Sequence, residues 1–146
     1  MKVVLDTNVL ISALISPHNP PDIILQSWLA GEFDLLTSEA QLEEIRRVSR
    51  YEHLQPFLQP HRVGLISNRM RALATIIKPG TLSSEEALDP EDNFLIAICE
   101  TGSANNFVTG DHRAGLLERK HIGMTEILTA SQFAERYLGW KGSRKA

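Results

Sequence analysis

The sequence has little cysteine and no long apolar run, and both deficits limit what the chain can be. Cys99 is the single cysteine among 146 residues, which excludes an internal disulfide and a zinc site built on cysteines. It lies in the apolar segment FLIAIC, which is typical of a thiol packed in a core. No apolar run approaches about 18 residues and no signal-peptide pattern opens the chain, so we expect no membrane span and a cytoplasmic location.

The sequence also lacks an excess of positive charge. Fifteen Lys and Arg against 18 Asp and Glu give a formal net charge of −3, which argues weakly against a nucleic-acid-binding protein. The argument is weak because acids that hold a metal ion are neutralised by it. A metal-dependent enzyme that acts on phosphates is therefore still compatible with the composition.

No internal repeat or low-complexity segment divides the chain. A chain of this length can bury enough apolar surface for one core. We therefore predict a single domain over residues 1–139, followed by a flexible C-terminal tail at 140–146.

Short apolar segments alternate with segments of helical pattern along the chain. We predict strands at residues 1–6, 33–37, 74–79, 106–111 and 122–128. We predict helices at residues 7–15, 22–30, 38–50, 57–74, 92–102, 113–119 and 130–140. Ser38 and Gln41 have the spacing of a capping box at the start of the third helix. This alternation predicts an α/β fold with a parallel sheet covered on both faces.

Four acidic residues fall at or near the carboxyl ends of the predicted strands. Asp6 ends the first strand, Asp111 follows the fourth, and Asp92 begins the helix after the third. Glu44 lies beside the buried stripe of the helix after the second strand, whereas Glu43 lies opposite that stripe. Such a cluster repels itself without cations, and its hard oxygen ligands suit Mg²⁺ or Mn²⁺. The sequence therefore predicts a site for one of these cations at this edge of the sheet.

Each of these acids also has a purely local interpretation, and both interpretations stay open. Asp6 suits the N-cap of the helix that follows it, and Asp89 before Pro90 suits an N-cap better than a ligand. Asp92 in a first helical turn favours the helix dipole, and Asp111 can be a turn residue. His112 is either a base or an ordinary surface histidine.

Four segments of the chain resemble, in order, the successive motifs of PIN-domain nucleases. The segments are VLDTNVLISAL, TSEAQLEEIRRV, DPEDNFLIAICETG and NFVTGD, and the resemblance runs over about residues 2–138. Within the family, the chain is most similar to the compact VapC-type toxin components of toxin–antitoxin pairs. The resemblance implies a three-layer α/β/α sandwich with a parallel, PIN-like sheet, and the activity of a metal-dependent endoribonuclease.

The resemblance also implies particular site residues. The four catalytic and metal-binding acids of the family match Asp6, Glu44, Asp92 and Asp111. The supporting polar residues match Asn8, which can hold Asp6, and Thr109, which can bond a carboxylate. The segment HRAGLL after Asp111 departs from the pattern of many relatives, so a fifth ligand is left open.

The partners that we expect are an RNA substrate, a cognate antitoxin protein and a second copy of the chain, without a membrane. The candidates for contacting RNA are the basic residues Arg46, Arg47, Arg50 and Arg113. The candidates for an apolar interface are Trp28, Phe57, Leu58 and Tyr137.

Two other function classes compete with this interpretation. A phospho-receiver domain needs an acid pair near the first strand and a lysine at the last, but TEILT has no lysine. A non-catalytic PIN-like module that binds RNA or protein is the stronger alternative, because the presence of four acids does not establish turnover.

Overall fold

A computed structural model describes residues 1–78, 93–110 and 120–142. Within these ranges the helices are α1 Thr7–Ile15, α2 Pro20–Leu29, α3 Glu39–Val48, α4 Pro60–Leu73, α5 Asn93–Gly102 and α6 Ala130–Tyr137. A short 3₁₀ helix, Glu52–Leu54, joins α3 to α4. The strands are β1 Lys2–Leu5, β2 Asp34–Thr37, β3 Thr75–Ile76, β4 Asn106–Thr109, β5 His121–Ile122 and β6 Thr125–Thr129.

The strands of the described residues form one sheet with the order β3-β2-β1-β4-β6-β5. Every neighbouring pair is parallel except β5 and β6. β1 lies at the centre, with Val4 opposite Leu36 of β2 and Phe107 of β4. The central place follows from the β1 sequence, since three consecutive apolar residues can be buried only where helices cover both faces.

Alternate residues of the strands face two separate helical layers. Val3 and Leu5 pack on one side in a core with α1, α2, α3, α4 and α6. Val4 faces the other side and packs against α5. The predicted three-layer α/β/α sandwich with a mostly parallel sheet is therefore confirmed.

The last predicted strand is wrong in its extent. Residues 122–128 were expected to form one strand, but β5 and β6 pair antiparallel as a hairpin, with Ile122 opposite Thr125. Gly123 adopts a left-handed φ of 56° and Met124 is 94% exposed, so the chain reverses between them. The third strand was predicted over residues 74–79, but β3 contains only Thr75 and Ile76. Both residues are exposed, and β3 lies at the edge of the sheet.

Two of the residues proposed for an apolar interface belong to the core instead. Trp28 and Leu58 belong to the core cluster that packs on the α1 side of the sheet, and they are only 5% and 6% exposed. Phe57 and Tyr137 are exposed, and their part in an apolar interface stays a prediction. Across the described ranges, no helix has the length and apolar character needed to cross a membrane. The extent of the domain and of its tail stays a prediction.

Cys99 lies on α5, buried against the sheet face opposite α1. Burial raises the pKa of its thiol above the ordinary value, because the charged thiolate is poorly solvated there. The expectation of a packed core thiol is confirmed, since such a group is neither ionised nor accessible near neutral pH.

Candidate active site

Asp6 lies between β1 and α1, at the carboxyl end of the central strand, and its residue is 3% exposed. Its Oδ1 accepts a hydrogen bond from the backbone N–H of Asn8 at 3.1 Å. Its Oδ2 accepts a hydrogen bond from the hydroxyl of Thr109 at 2.8 Å. Its own backbone N–H donates to the carbonyl of Val108 at 2.8 Å, so β1 and β4 together fix its position.

The N-cap interpretation of Asp6 and its proposed site role are compatible. Asp6 is the N-cap of α1, through the bond to Asn8. A carboxylate has about four acceptor positions, and these two hydrogen bonds leave capacity on both oxygens. The cap thus orients the carboxylate without saturating it.

Asp6 has no basic partner in the described part of the chain. No Lys, Arg or His nitrogen of residues 1–78, 93–110 or 120–142 forms an ion pair with it. The two hydrogen-bond donors that these ranges supply to it, the N–H of Asn8 and the hydroxyl of Thr109, are neutral groups. A buried carboxylate without a counter-charge is costly, and a hard cation bound in the adjoining cavity would offset that cost. The donor chemistry at Asp6 therefore fits Mg²⁺ or Mn²⁺.

Glu44 projects from α3 toward the start of α1. The hydroxyl of Thr7 donates a hydrogen bond to its Oε1. Arg47 lies 3.7 Å from its Oε2, and the guanidinium side chain is 67% exposed, so this ion pair is weak. Glu44 is half-buried, whereas Glu43 is exposed on the other side of the helix. Of the two neighbouring glutamates, only Glu44 faces Asp6's end of the sheet.

A series of hydrogen bonds connects Glu44, through Thr7, to the buried side chain of Gln41. The side-chain amide of Gln41 donates to the carbonyl of Leu5 at 2.6 Å and to the hydroxyl of Thr7 at 3.5 Å. Its carbonyl accepts from the hydroxyl of Thr37 at 2.6 Å. The Thr7 hydroxyl then donates onward to Glu44. Sequence reasoning missed Thr7 and Gln41, because it assigned Gln41 to the helix cap and Thr7 no role.

Asp6 and Glu44 line the same cavity, which has a volume of about 390 Å³. Thr7, Asn8 and Arg47 line it with them. Asn8 contacts Asp6 through its backbone, and its side chain is exposed at this cavity. The backbone of Asn8 thus holds Asp6, and a supporting role for its side chain stays a prediction.

The other candidate site residues from the sequence lie outside the described residues. These are Asp92 and Asp111, together with Asp89, His112 and Arg113. Within the described ranges, no group of three or more His, Cys, Asp or Glu side chains is placed to hold a metal ion. Leu95 lines the cavity three residues after Asp92, and Thr109 contacts Asp6 two residues before Asp111. The roles of Asp92 and Asp111 stay predictions.

The predicted basic residues in α3 and just after it are exposed beside the cavity. Arg47 lines the cavity itself, and Arg46 and Arg50 line an adjoining groove with Tyr51. Their contact with RNA stays a prediction.

Comparison with known proteins agrees with this architecture. A PIN-domain family model matches residues 2–113, a range that contains Asp6, Glu44, Asp92 and Asp111. The chain is 33% identical over 144 residues to an uncharacterized protein of Methanocaldococcus jannaschii, and the alignment covers 94% of this chain and 92% of that protein. No solved structure matches the chain significantly.

Proposed function

Because this chain belongs to the PIN-domain family, whose members are generally nucleases, we propose that it is an endoribonuclease that requires Mg²⁺ or Mn²⁺. The observation that carries the proposal is Asp6, a buried carboxylate at the end of the central strand whose hydrogen-bond donors among the described residues are both neutral. Glu44 faces the same cavity, which gives two hard oxygen ligands at one opening.

PIN-domain nucleases typically use divalent metal ions, and the residues of this chain suit one. Asp6 and Glu44 would hold the ion, with Asp92 and Asp111 as the further predicted ligands. A bound Mg²⁺ or Mn²⁺ lowers the pKa of water and polarises a phosphodiester. Thr109 and the backbone of Asn8 hold Asp6 in one orientation, and Thr7 holds Glu44.

The proposed reaction is hydrolysis without a covalent protein intermediate. The oxygen of water forms a bond to phosphorus, the bond from phosphorus to the 3′ oxygen breaks, and a proton passes to that oxygen. The products are a 5′-phosphate and a 3′-hydroxyl end. Cys99 is buried on the other face of the sheet, which excludes its thiol as a covalent nucleophile.

Cleavage of a mixed RNA pool, with the new ends mapped, tests the proposal. We expect internal cuts in Mg²⁺ or Mn²⁺, none in EDTA, and products that carry 5′-phosphates. Cyclic 2′,3′-phosphate ends or cleavage in EDTA would contradict the metal-dependent route. Binding of RNA without any cleavage in either metal would instead support the non-catalytic PIN-like module.

We further propose that the chain is the toxin component of a toxin–antitoxin pair and acts on cytoplasmic RNA as a homodimer or larger homo-oligomer. This part rests on the similarity of its ordered motifs and compact length to VapC-type proteins. Induced expression should then arrest growth, and co-expression of an adjacent small protein should relieve the arrest. Growth unaffected by an RNA-cleaving preparation of the protein would contradict the toxin role while leaving the nuclease in place.

A further inference from the structure

Two aromatic rings stand at the cavity that contains Asp6 and Glu44. The ring centroids of Tyr51 and His53 lie 5.9 Å apart with their planes at 34°. Both residues line the cavity, and Tyr51 is 43% exposed. Neither ring belongs to the hydrophobic core clusters, so packing of the fold does not account for their place.

Backbone hydrogen bonds order the segment that carries these rings. The N–H of Tyr51 donates to the carbonyl of Val48 at 3.0 Å, and the carbonyl of Tyr51 accepts from the N–H of Leu54 at 2.9 Å. Leu58 lies in the core and Leu54 packs against it, which holds the 3₁₀ helix Glu52–Leu54 on the body of the protein. A ring presented by an ordered segment loses little conformational entropy when a ligand stacks on it.

Three arginines surround Tyr51. Arg46, Arg47 and Arg50 line a groove with Tyr51 and a single acid, Glu43. Arg47 makes only the weak contact with Glu44, and within the described residues neither Arg46 nor Arg50 forms an ion pair. The groove is therefore positively charged, and it opens beside the two acids of the cavity.

We propose that Tyr51, His53, Arg47 and Arg50 form a subsite for one unpaired nucleotide of an RNA strand. The base stacks on the Tyr51 ring, and the adjoining phosphates contact the two guanidinium groups. A base inside a duplex is already stacked on both faces, so this subsite selects single-stranded RNA. The proposal rests on the proposed function for its substrate, and it places a phosphodiester of that strand beside Asp6 and Glu44.

Binding of a short labelled RNA in EDTA tests the subsite without cleavage. We expect the single strand to bind more tightly than the same strand annealed to its complement. Tyr51→Leu should weaken single-strand binding by about 5- to 100-fold, the range that loss of one stacked base produces. Tyr51→Phe keeps the ring and serves as the matched control, with affinity close to that of the wild type.

Salt dependence provides a second measurement that does not involve Tyr51. Arg50→Ala should reduce the slope of log affinity against log salt by about 0.7, the value for one phosphate contact on a single strand. Glu43→Gln changes a residue of the same groove that contacts no phosphate, and it should not reduce that slope. An unchanged slope in Arg50→Ala would overturn the phosphate contact and with it the subsite.

The outcomes separate this subsite from the nuclease itself. Binding that depends on Tyr51, without cleavage in Mn²⁺, supports the subsite and overturns the proposed reaction. Cleavage in Mn²⁺ with the affinity of Tyr51→Leu equal to that of Tyr51→Phe overturns the subsite and leaves the reaction. Equal affinity for single strand and duplex also overturns the subsite.

Discussion

Thr7 connects two parts of the site through one hydroxyl group. The hydroxyl accepts a hydrogen bond from the amide of Gln41 and donates one to Glu44. Supporting partners of metal ligands typically contribute about 10- to 100-fold to metal affinity or activity. The orientation of Glu44 in this protein should therefore depend on a residue that touches no substrate.

Thr7→Val should lower cleavage activity by about 10- to 100-fold, because it removes the donor that orients Glu44. The measurement is kcat/KM for a defined RNA in Mn²⁺. Thr7→Ser keeps the hydroxyl and should retain most of the activity. Equal activity in Thr7→Val and Thr7→Ser would show that Glu44 needs no such support.

At the scale of single residues, the sequence indicated where a side chain lies on its own element but not what it contacts across elements. The position of Asp6 at a strand end and the separation of Glu44 from Glu43 follow from local geometry. The bond from Thr7 to Glu44 joins residues 37 apart, and its formation depends on how α3 packs against α1. No local pattern in the sequence encodes that distance.

The start of α6 shows how an element boundary is stabilised. The Thr129 hydroxyl accepts from the N–H of Gln132 at 3.1 Å, and the Gln132 side chain accepts from the N–H of Thr129 at 2.9 Å. This reciprocal pair is a complete capping box. It joins β6 to the helix that packs Phe133 into the core.

Thr129→Ala should reduce the free energy of unfolding by about 0.5–2 kcal/mol, because it removes the N-cap acceptor. Urea denaturation measures the change. Ser131→Ala, at an exposed position two residues further along the chain in α6, is the control and should change stability by less than about 0.5 kcal/mol. A loss of equal size in both variants would contradict a specific capping role.

Within the described residues, the sequence predicted the type of the elements, but it missed a side chain with two uses and a turn; the helix predicted at 113–119 lies outside those residues. Ser38 does cap α3, but the side chain of Gln41 is buried and bonds Leu5 and Thr37, so the predicted box is incomplete. A buried amide must satisfy its donors inside the protein, and this requirement outweighs the cap. The hairpin at Gly123 was missed because the apolar pattern continues through the turn.

The strand order explains why the site lies where it does in the whole molecule. From β1 the chain proceeds to β2 and β3 on one side, and β4 and β6 lie on the other. The order thus reverses between β1 and β4, where parallel α/β sheets bind their ligands. Asp6 ends β1 and Thr109 ends β4, and the two side chains meet at that point.

Metal binding at this point should stabilise the folded molecule. A ligand present at 100 times its dissociation constant stabilises the native state by about 2.7 kcal/mol, so Mn²⁺ should raise the Tm by several degrees. Asp6→Asn should show a much smaller rise, because it removes a carboxylate that we propose as a metal ligand. A thermal shift assay measures both. An equal rise in the two proteins would place the bound ion elsewhere.

The most direct test of the account compares Asp6→Asn with Asp34→Asn in RNA cleavage. Asp34 is an exposed residue at the amino end of β2, whereas Asp6 follows the carboxyl end of β1. The same chemical change at Asp34 therefore leaves the cavity intact. In Mn²⁺, Asp34→Asn should cleave at the wild-type rate, and Asp6→Asn should show no cleavage above buffer while both remain folded. Wild-type cleavage by purified Asp6→Asn would contradict the central claim that the reaction requires this carboxylate.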